Sequence, residues 1–317
     1  MTKWTSELIP PAPRIAVDHM GNGPLVVFLH GIGGNRTLWH EQLVAFAPHF
    51  HAVAWDARGY GSSSRPPEME QPPEKNPPLV RSSEVVRDIA AVVEWIRQRL
   101  GVERVALSGW ATGAHWHGYY TALYSDHVSH LILHNTLYGG ASDHPMLGHG
   151  SASEDPNHPG RFNAEDTGAY RFNTAGGLLP SWDRSIPLED KTQWRDPAVA
   201  QAYVAAALAS DPTSETRTPP GFRAPSGALE DSFYLATGRQ LWDASLIRVP
   251  TLVLRSERDF WSRPQDAELL AEHLVHAPRV RKVTLPDATH YAHLDRPEHG
   301  RDAFLKEVLS FLADGST

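Results

Sequence analysis

Three short runs in the first third of the chain, "PLVVFLHG" from Pro24, "HAVAWD" from His51 and "RVALSG" from Arg104, are apolar almost without interruption and stop at glycine or a turn residue. A strand with one wet face alternates apolar and polar residues, whereas a strand covered on both faces does not. Runs this short are also far below the roughly 18 residues that cross a bilayer, so the pattern predicts buried strands of a parallel sheet. Between the last two runs, "SSEVVRDIAAVVEWIRQRLG" puts Val85, Ile89, Val92, Val93, Ile96 and Leu100 at helical spacing, with Ser83 placed to cap the start and Gly101 the end. This is the expected crossover helix.

The rhythm resumes with "VSHLILHN" from Val128, "VPTLVLRSERD" from Val249 and "VRKVTLPDATH" from Val280, and the helical patterns "SRPQDAELLAEHLVHA" and "RPEHGRDAFLKEVLSFLADG" follow the last two. Strands and helices alternating at both ends of one chain predict an α/β fold, a single doubly wound and mostly parallel sheet. From Gly139 to about Asp243 the composition shifts to Gly, Pro, Asp, Asn and His, and helical patterns are confined to about 196–210 and 227–243. So long an irregular stretch reads as a lid or binding element. The expected organisation is a core over 1–138, an inserted and partly helical cap over 139–243, and the rest of the core over 244–317.

Composition narrows the function. The chain has 317 residues, enough for one large core, and a net charge of −8 without long runs of either sign, which argues against nucleic acid or an anionic membrane as partner. There is no cysteine, so disulfides and thiolate metal sites are excluded. The start "MTKWTSELIPPAPRIAV" lacks the apolar stretch of a secretion signal, so a soluble, cytoplasmic protein acting on a small molecule is the expectation. Of 18 histidines, His144, His149 and His158 lie near Asp143, Glu154 and Asp155, but they are scattered over a loop rather than spaced as ligands. His115 and His117 point to different faces of one helix. No metal site and no cofactor are expected.

The chemistry is written in four places: "LHGIGGN" at Leu29–Asn35, "WDARGYGSSS" at Trp55–Ser64, the frame Gly109-Trp110-Ala111-Thr112-Gly113, and the pair "PTLVLRSERDFW" and "LPDATHYAHLDRP". The third has the form of a nucleophile elbow, G-x-S-x-G, with alanine where serine belongs. In this order the four resemble the α/β-hydrolase superfamily over nearly the whole chain. The resemblance implies that Ala111 stands at the nucleophile position, that the N–H groups of Ile32 and Thr112 form the oxyanion hole, and that Asp259 and His290 are the acid and the base. Glu257 is the runner-up for the acid, because the alternative position after "LILHN" offers Asn135, Thr136 and Leu137 and no carboxylate. His293 competes weakly with His290. Asp56, Arg58 and Gly59 match a structural loop and are assigned no chemistry.

Neither Ser108, inside its strand, nor Thr112, one position late, should project from the turn. Aspartate-nucleophile relatives often carry tryptophan directly after the nucleophile, whereas here Thr112 follows and Trp110 precedes, so serine is the missing group. Trp110, Trp182, Trp194 and Trp261 are the candidate substrate contacts, and Arg161, Arg171, Arg184 and Arg195 near the cap tryptophans would suit an aromatic acid. The resulting expectation is a serine hydrolase of small esters or lactones working through an acyl-enzyme, inactivated by the change at Ala111. Three alternatives stand beside it: carbon–carbon bond hydrolysis of an activated ketone, a binding or receptor protein without turnover, and a cofactor-free lyase or oxygenase using His290 and Asp259.

Overall fold

The computed structural model describes residues 4–10 and 14–314; residues 1–3, 11–13 and 315–317 of the expected core lie outside the described residues. In chain order the first elements are β1 (Thr5–Ile9), β2 (Ile15–Met20), β3 (Leu25–Leu29), α1 (His40–Phe46), β4 (His51–Trp55), α2 (Ser82–Leu100), β5 (Val105–Trp110), α3 (Thr112–Leu123) and β6 (Val128–His134). The chain then leaves the sheet for α4 (Ala164–Thr167), β7 (Tyr170–Thr174), α5 (Ala175–Asp183), α6 (Pro197–Ala209), β8 (Gly221–Pro225) and α7 (Gly227–Ala236). It returns with β9 (Thr251–Ser256), α8 (Pro264–His273), β10 (Val280–Leu285) and α9 (Arg301–Ala313).

One eight-stranded sheet carries the order β1-β2-β4-β3-β5-β6-β9-β10. The strands from β4 to β10 run parallel, and β1 and β2 are added antiparallel at one edge. The continuous apolar runs explain this: every residue of β3 and β5 is buried, so helices cover both faces of the sheet centre. From β3 the chain winds outward to β4 and then crosses back to β5 on the other side, which makes the carboxyl ends of β3 and β5 the switch point where open α/β sheets bind ligands. The excursion forms its own two-stranded antiparallel pair, β7 with β8. It does not stand apart, because Leu178, Trp182, Trp194, Ala200 and Tyr203 belong to the same buried cluster as the sheet.

Local departures from the expected pattern have physical causes. Helix α2 starts one residue before Ser83, with the Arg81 amide N–H donating to the Glu84 carboxylate at 3.0 Å, while Ser82 turns to Asp231. Its C-terminal Gly101 is left-handed, φ +64°, as a glycine stop requires. The helix expected to run to residue 243 ends at Ala236, where Gly238 turns the chain with φ +84°. The carboxylate of Asp56 accepts from the Arg36 and Ser62 amides, and Arg58 forks onto Asp88, so hydrogen bonds hold that loop in place.

Several histidines are core residues. Burial pulls the pKa of His115 down to about 4 and those of His117 and His134 to about 3, and it holds His293 well below the ordinary value. Each is therefore neutral in the folded protein and takes up a proton near pH 6.5 once unfolded. With four such groups the unfolded state binds more protons as pH drops, and stability is lost at about 1.4 kcal/mol per group per pH unit. Asp295 acts in the opposite sense: burial raises its pKa to about 6, so its contribution weakens as pH rises through 6. The histidines outnumber it. Circular dichroism followed through an acid titration is expected to show steep cooperative unfolding that begins below pH 6.5, with stability intact above it; a flat profile down to pH 4 would contradict the neutral-histidine core.

Candidate active site

The site is built on the turn from β5 into α3. Ala111 occupies it with φ +54° and ψ −121°, a conformation L-residues rarely adopt, and its amide N–H donates to the His134 carbonyl at 2.8 Å. The flanking glycines are steric requirements. A Cβ on Gly113 would lie 2.4 Å from the Leu29 carbonyl oxygen and 2.5 Å from that of His30, and a Cβ on Gly109 would lie 2.5 Å from the backbone of Ala114. Close approach of α3 to the end of β3 therefore depends on glycine at 113, and the tight return of α3 over the end of β5 depends on glycine at 109.

The opposing loop is equally fixed. His30 is fully buried, accepts the Ala57 amide N–H on Nε2 at 3.1 Å, and donates from Nδ1 to the Gly31 carbonyl at 2.8 Å. That sets its tautomer and anchors the backbone just before Ile32. Among the described residues neither the Ile32 nor the Thr112 amide has an intramolecular acceptor, and Thr112 opens α3, where the helix dipole is positive. Both residues border the same cavity as Ala111. The arrangement offers N–H donors to an anionic oxygen.

Asp259 and His290 follow β9 and β10. The His290 Nδ1 lies 2.7 Å from Oδ1 of Asp259, with both side chains essentially buried. Burial alone would raise the Asp259 pKa. The His290 charge and hydrogen bonds from His290, Ser262 and the Trp261 amide outweigh it and hold the carboxylate below the usual range. The His290 carbonyl accepts from the Trp110 indole at 2.8 Å and from the Asn135 side-chain amide at 3.0 Å, so the backbone carrying the imidazole is held by two donors. Glu257 is exposed and accepts from the Asp287 amide, and it makes no contact with His290. His293 is fully buried, stacked on Trp39 with ring centroids 4.7 Å apart, and does not reach the cavity.

The cavity, about 180 Å³, is bordered by Ile32, Ala111, Thr112 and His290 below and by residues of the excursion above. Trp110 and Trp261 border it. The expectation of substrate contact for Trp182 and Trp194 does not match their placement. Trp182 is fully buried, donates to Asp295 at 2.7 Å and stacks on Tyr291, and Trp194 stacks on His299, so both are packing residues outside the cavity wall. Of the four arginines, Arg171 alone borders the cavity. Ser108 is buried inside β5. Ser181 and Ser232 line the wall, where Ser181 accepts from the Trp261 indole and Ser232 donates to the Ala228 carbonyl; among the described residues neither touches His290.

A polar seam beside the cavity left little mark in the sequence. The Trp242 indole donates to Nδ1 of His115, whose Nε2 donates to the Ser82 hydroxyl, which donates in turn to Asp231. His115, Asn135, Ser181, Asp231, Ser232 and Tyr291 all border the cavity. Only the position of Asn135, directly after a buried strand, carried a signal in the sequence. Among the described residues no group of three or more His, Asp or Glu side chains is placed to hold a metal ion, and no helix is long and apolar enough to cross a membrane.

These features define a class. A profile of the α/β hydrolase fold family matches residues 24–297, and the chain belongs to that family. It is 52% identical over 50 residues to epoxide hydrolase 3 of Mus musculus, a segment that is 16% of this chain and 14% of that protein. With epoxide hydrolase 3 of Xenopus tropicalis it shares 26% identity over 299 residues, 90% of this chain and 72% of the relative. The enol-lactonase from Burkholderia xenovorans LB400 superposes with a TM-score of 0.59 at 19% identity, covering 95% of this chain and 96% of that one. The epoxide hydrolase VrEH1 from Vigna radiata gives 0.63 at 16%, covering 99% of this chain and 99% of that one. At these identities both superpositions show the fold alone.

Two substitutions at the elbow are expected to move stability in opposite directions. Ala111→Gly relieves a positive φ in an L-residue, a strain of about 1–3 kcal/mol, and should raise Tm by a few degrees. Gly113→Ala drives a Cβ into two backbone carbonyls and should lower Tm markedly. Differential scanning calorimetry of both variants checks the pair, and a gain from Gly113→Ala would contradict the elbow geometry.

Proposed function

We propose that this is the site of a serine-type hydrolase of small esters or lactones, that residues 139–243 form its cap, and that alanine at position 111 leaves this chain able to bind such a substrate but not to form an acyl-enzyme. The observation that carries the reading is the backbone of Ala111. It holds the strained elbow conformation between two sterically required glycines, and it shares a cavity with the His290–Asp259 pair and the free Ile32 and Thr112 amides.

In a chain with serine at this position, the hydroxyl attacks the acyl carbon while His290 Nε2 takes its proton and Asp259 holds the imidazole from Nδ1. The carbonyl oxygen, now an anion, faces the Ile32 and Thr112 N–H groups. The alkoxide leaves with the proton from His290. Water, deprotonated by the same imidazole, then releases the acid and regenerates the hydroxyl. Alanine lacks the attacking oxygen but keeps the donors and the cavity walls, so ground-state binding survives. The enol-lactonase with the same fold suits this substrate class. The epoxide hydrolases among the relatives make a carboxylate at position 111 the rival, and Thr112 rather than tryptophan after the elbow favours serine.

Ala111→Ser is expected to create turnover of activated esters and lactones, about 10⁶-fold above the present chain. In that background His290→Ala should abolish it and Asp259→Asn should lower it strongly, while His293→Ala should change it little. Steady-state assays on p-nitrophenyl acetate and a γ-lactone series measure this. A folded Ala111→Ser protein that is silent on all of them, with Ala111→Asp opening an epoxide, would replace the serine reading by the carboxylate one.

A further inference from the structure

Among the described residues Arg171 is the one arginine that borders the cavity, and its surroundings are unlike those of the other polar groups there. It stands on β7, above the elbow, with its Nε buried and without an acceptor. Among the described residues its guanidinium forms no hydrogen bond and no ion pair, and it does not lie over an aromatic face. Burial pushes its pKa below the ordinary arginine value, and the neighbouring group acting against this is the phenol of Tyr60. The Tyr60 hydroxyl is itself buried without a partner. On the same face of β7, two residues on, the Asn173 side-chain amide nitrogen is also buried and unpaired.

The carboxylate of the cavity wall does not answer this charge. Asp231 accepts from Arg81 Nε, the Ser82 amide and the Ser82 hydroxyl, each at 2.6 Å, and is thereby neutralised from the side of α2. Among the described residues the cavity wall thus carries one compensated carboxylate, Asp231, and one guanidinium without an anionic partner, Arg171. An Nε shut off from water without an acceptor is costly, and a ligand anion at the guanidinium would supply the missing acceptor in bidentate geometry.

We propose that the substrate carries a carboxylate, and that Arg171 binds it from the cap while the reacting carbon sits over Ala111. This deepens the reading above by assigning the charge of the molecule whose acyl group reaches the elbow. Arg171 is a specificity-determining residue, remote from the bond-breaking step, so its loss should act on binding of acids and leave neutral ligands alone.

The test uses the chain with alanine at position 111 and isothermal titration calorimetry. The probes are the monomethyl esters of succinate, glutarate and adipate, each beside its dimethyl ester. At least one monoester is expected to bind about 10- to 100-fold more tightly than its diester. Arg171→Met should erase that preference with little change in diester affinity, and Arg171→Lys should restore part of it. If Arg171→Met fails to fold, the preference is measured in the unmodified protein and should weaken as sodium chloride is raised. Equal binding of every monoester and diester, or a preference that Arg171→Met leaves intact, overturns the proposal. The two readings fail separately. Hydrolysis of diesters and monoesters alike by Ala111→Ser would uphold acyl transfer and remove the anion site, whereas Arg171-dependent monoester binding with no hydrolysis by Ala111→Ser would uphold the anion site and remove acyl transfer.

Discussion

The contact on which the rest of the site depends is the approach of the first turn of α3 to the carbonyl end of β3. Gly113 lies against the Leu29 and His30 carbonyl oxygens with no room for a Cβ, and Gly31 faces the Ala111 methyl in a looser but still tight contact, 3.0 Å from an added Cβ. That distance has two consequences. It forces the chain between β5 and α3 into a positive-φ turn, and it brings the free amides of two separate segments to one cavity wall. A single methyl group at Gly113 would move α3 away from the sheet, separating the donors before any reaction began.

The elbow and the imidazole are held by the same residue. Trp110 precedes Ala111 in the turn, and its indole donates to the carbonyl of His290; Asn135, at the end of the neighbouring strand, donates to the same oxygen. Asn135 also accepts from the Ser256 amide at 2.7 Å, which ties β6 to β9 just before the segment that carries Asp259. Position 111, the imidazole and the carboxylate therefore move as one unit with the sheet edge. Geometry of this kind has to be fixed in advance if a charged oxygen is to be stabilised as it forms.

The buried parallel strands were legible in the sequence because continuous apolar runs leave few alternatives, and the elbow frame directly follows one of them; β10 is a half-exposed edge strand, so the readings of Asp259 and His290 came from the resemblance to the α/β-hydrolase superfamily rather than from apolarity. What was not legible has a common cause, namely reliance on partners remote in sequence. Strand β1 is half exposed, and β2 contains Asp18 and His19; Asp18 is buried only because Ser6, Arg36 and His40 surround it. Strand β7 reads as a polar loop and becomes a strand by pairing Arg171 with Ala224. The isolated aromatics gave no sign of direction: Trp182 and Trp194 in the excursion are as large and apolar as Trp261 after β9, yet of these three only Trp261 faces the cavity.

The placement of Trp182 bears on how the excursion can move. Its ring lies on Tyr291, the residue after His290, with centroids 4.9 Å apart, while its indole N–H is held by Asp295, which also binds the Thr289 amide just before His290. Arg296 adds a backbone hydrogen bond to Trp194 at 3.0 Å. The segment 289–296 is thus clamped from one side by the sheet, through Trp110 and Asn135, and from the other by α5 and the chain after it. Swinging α5 outward as a rigid lid would strip the Tyr291 stack and leave the buried Asp295 carboxylate short of a donor, a loss that falls directly beside the imidazole. Access to the cavity is therefore easier through parts of the excursion that lack this tie, such as the loop around Leu147, than through displacement of α5, and the cavity wall beside His290 stays in register with the imidazole.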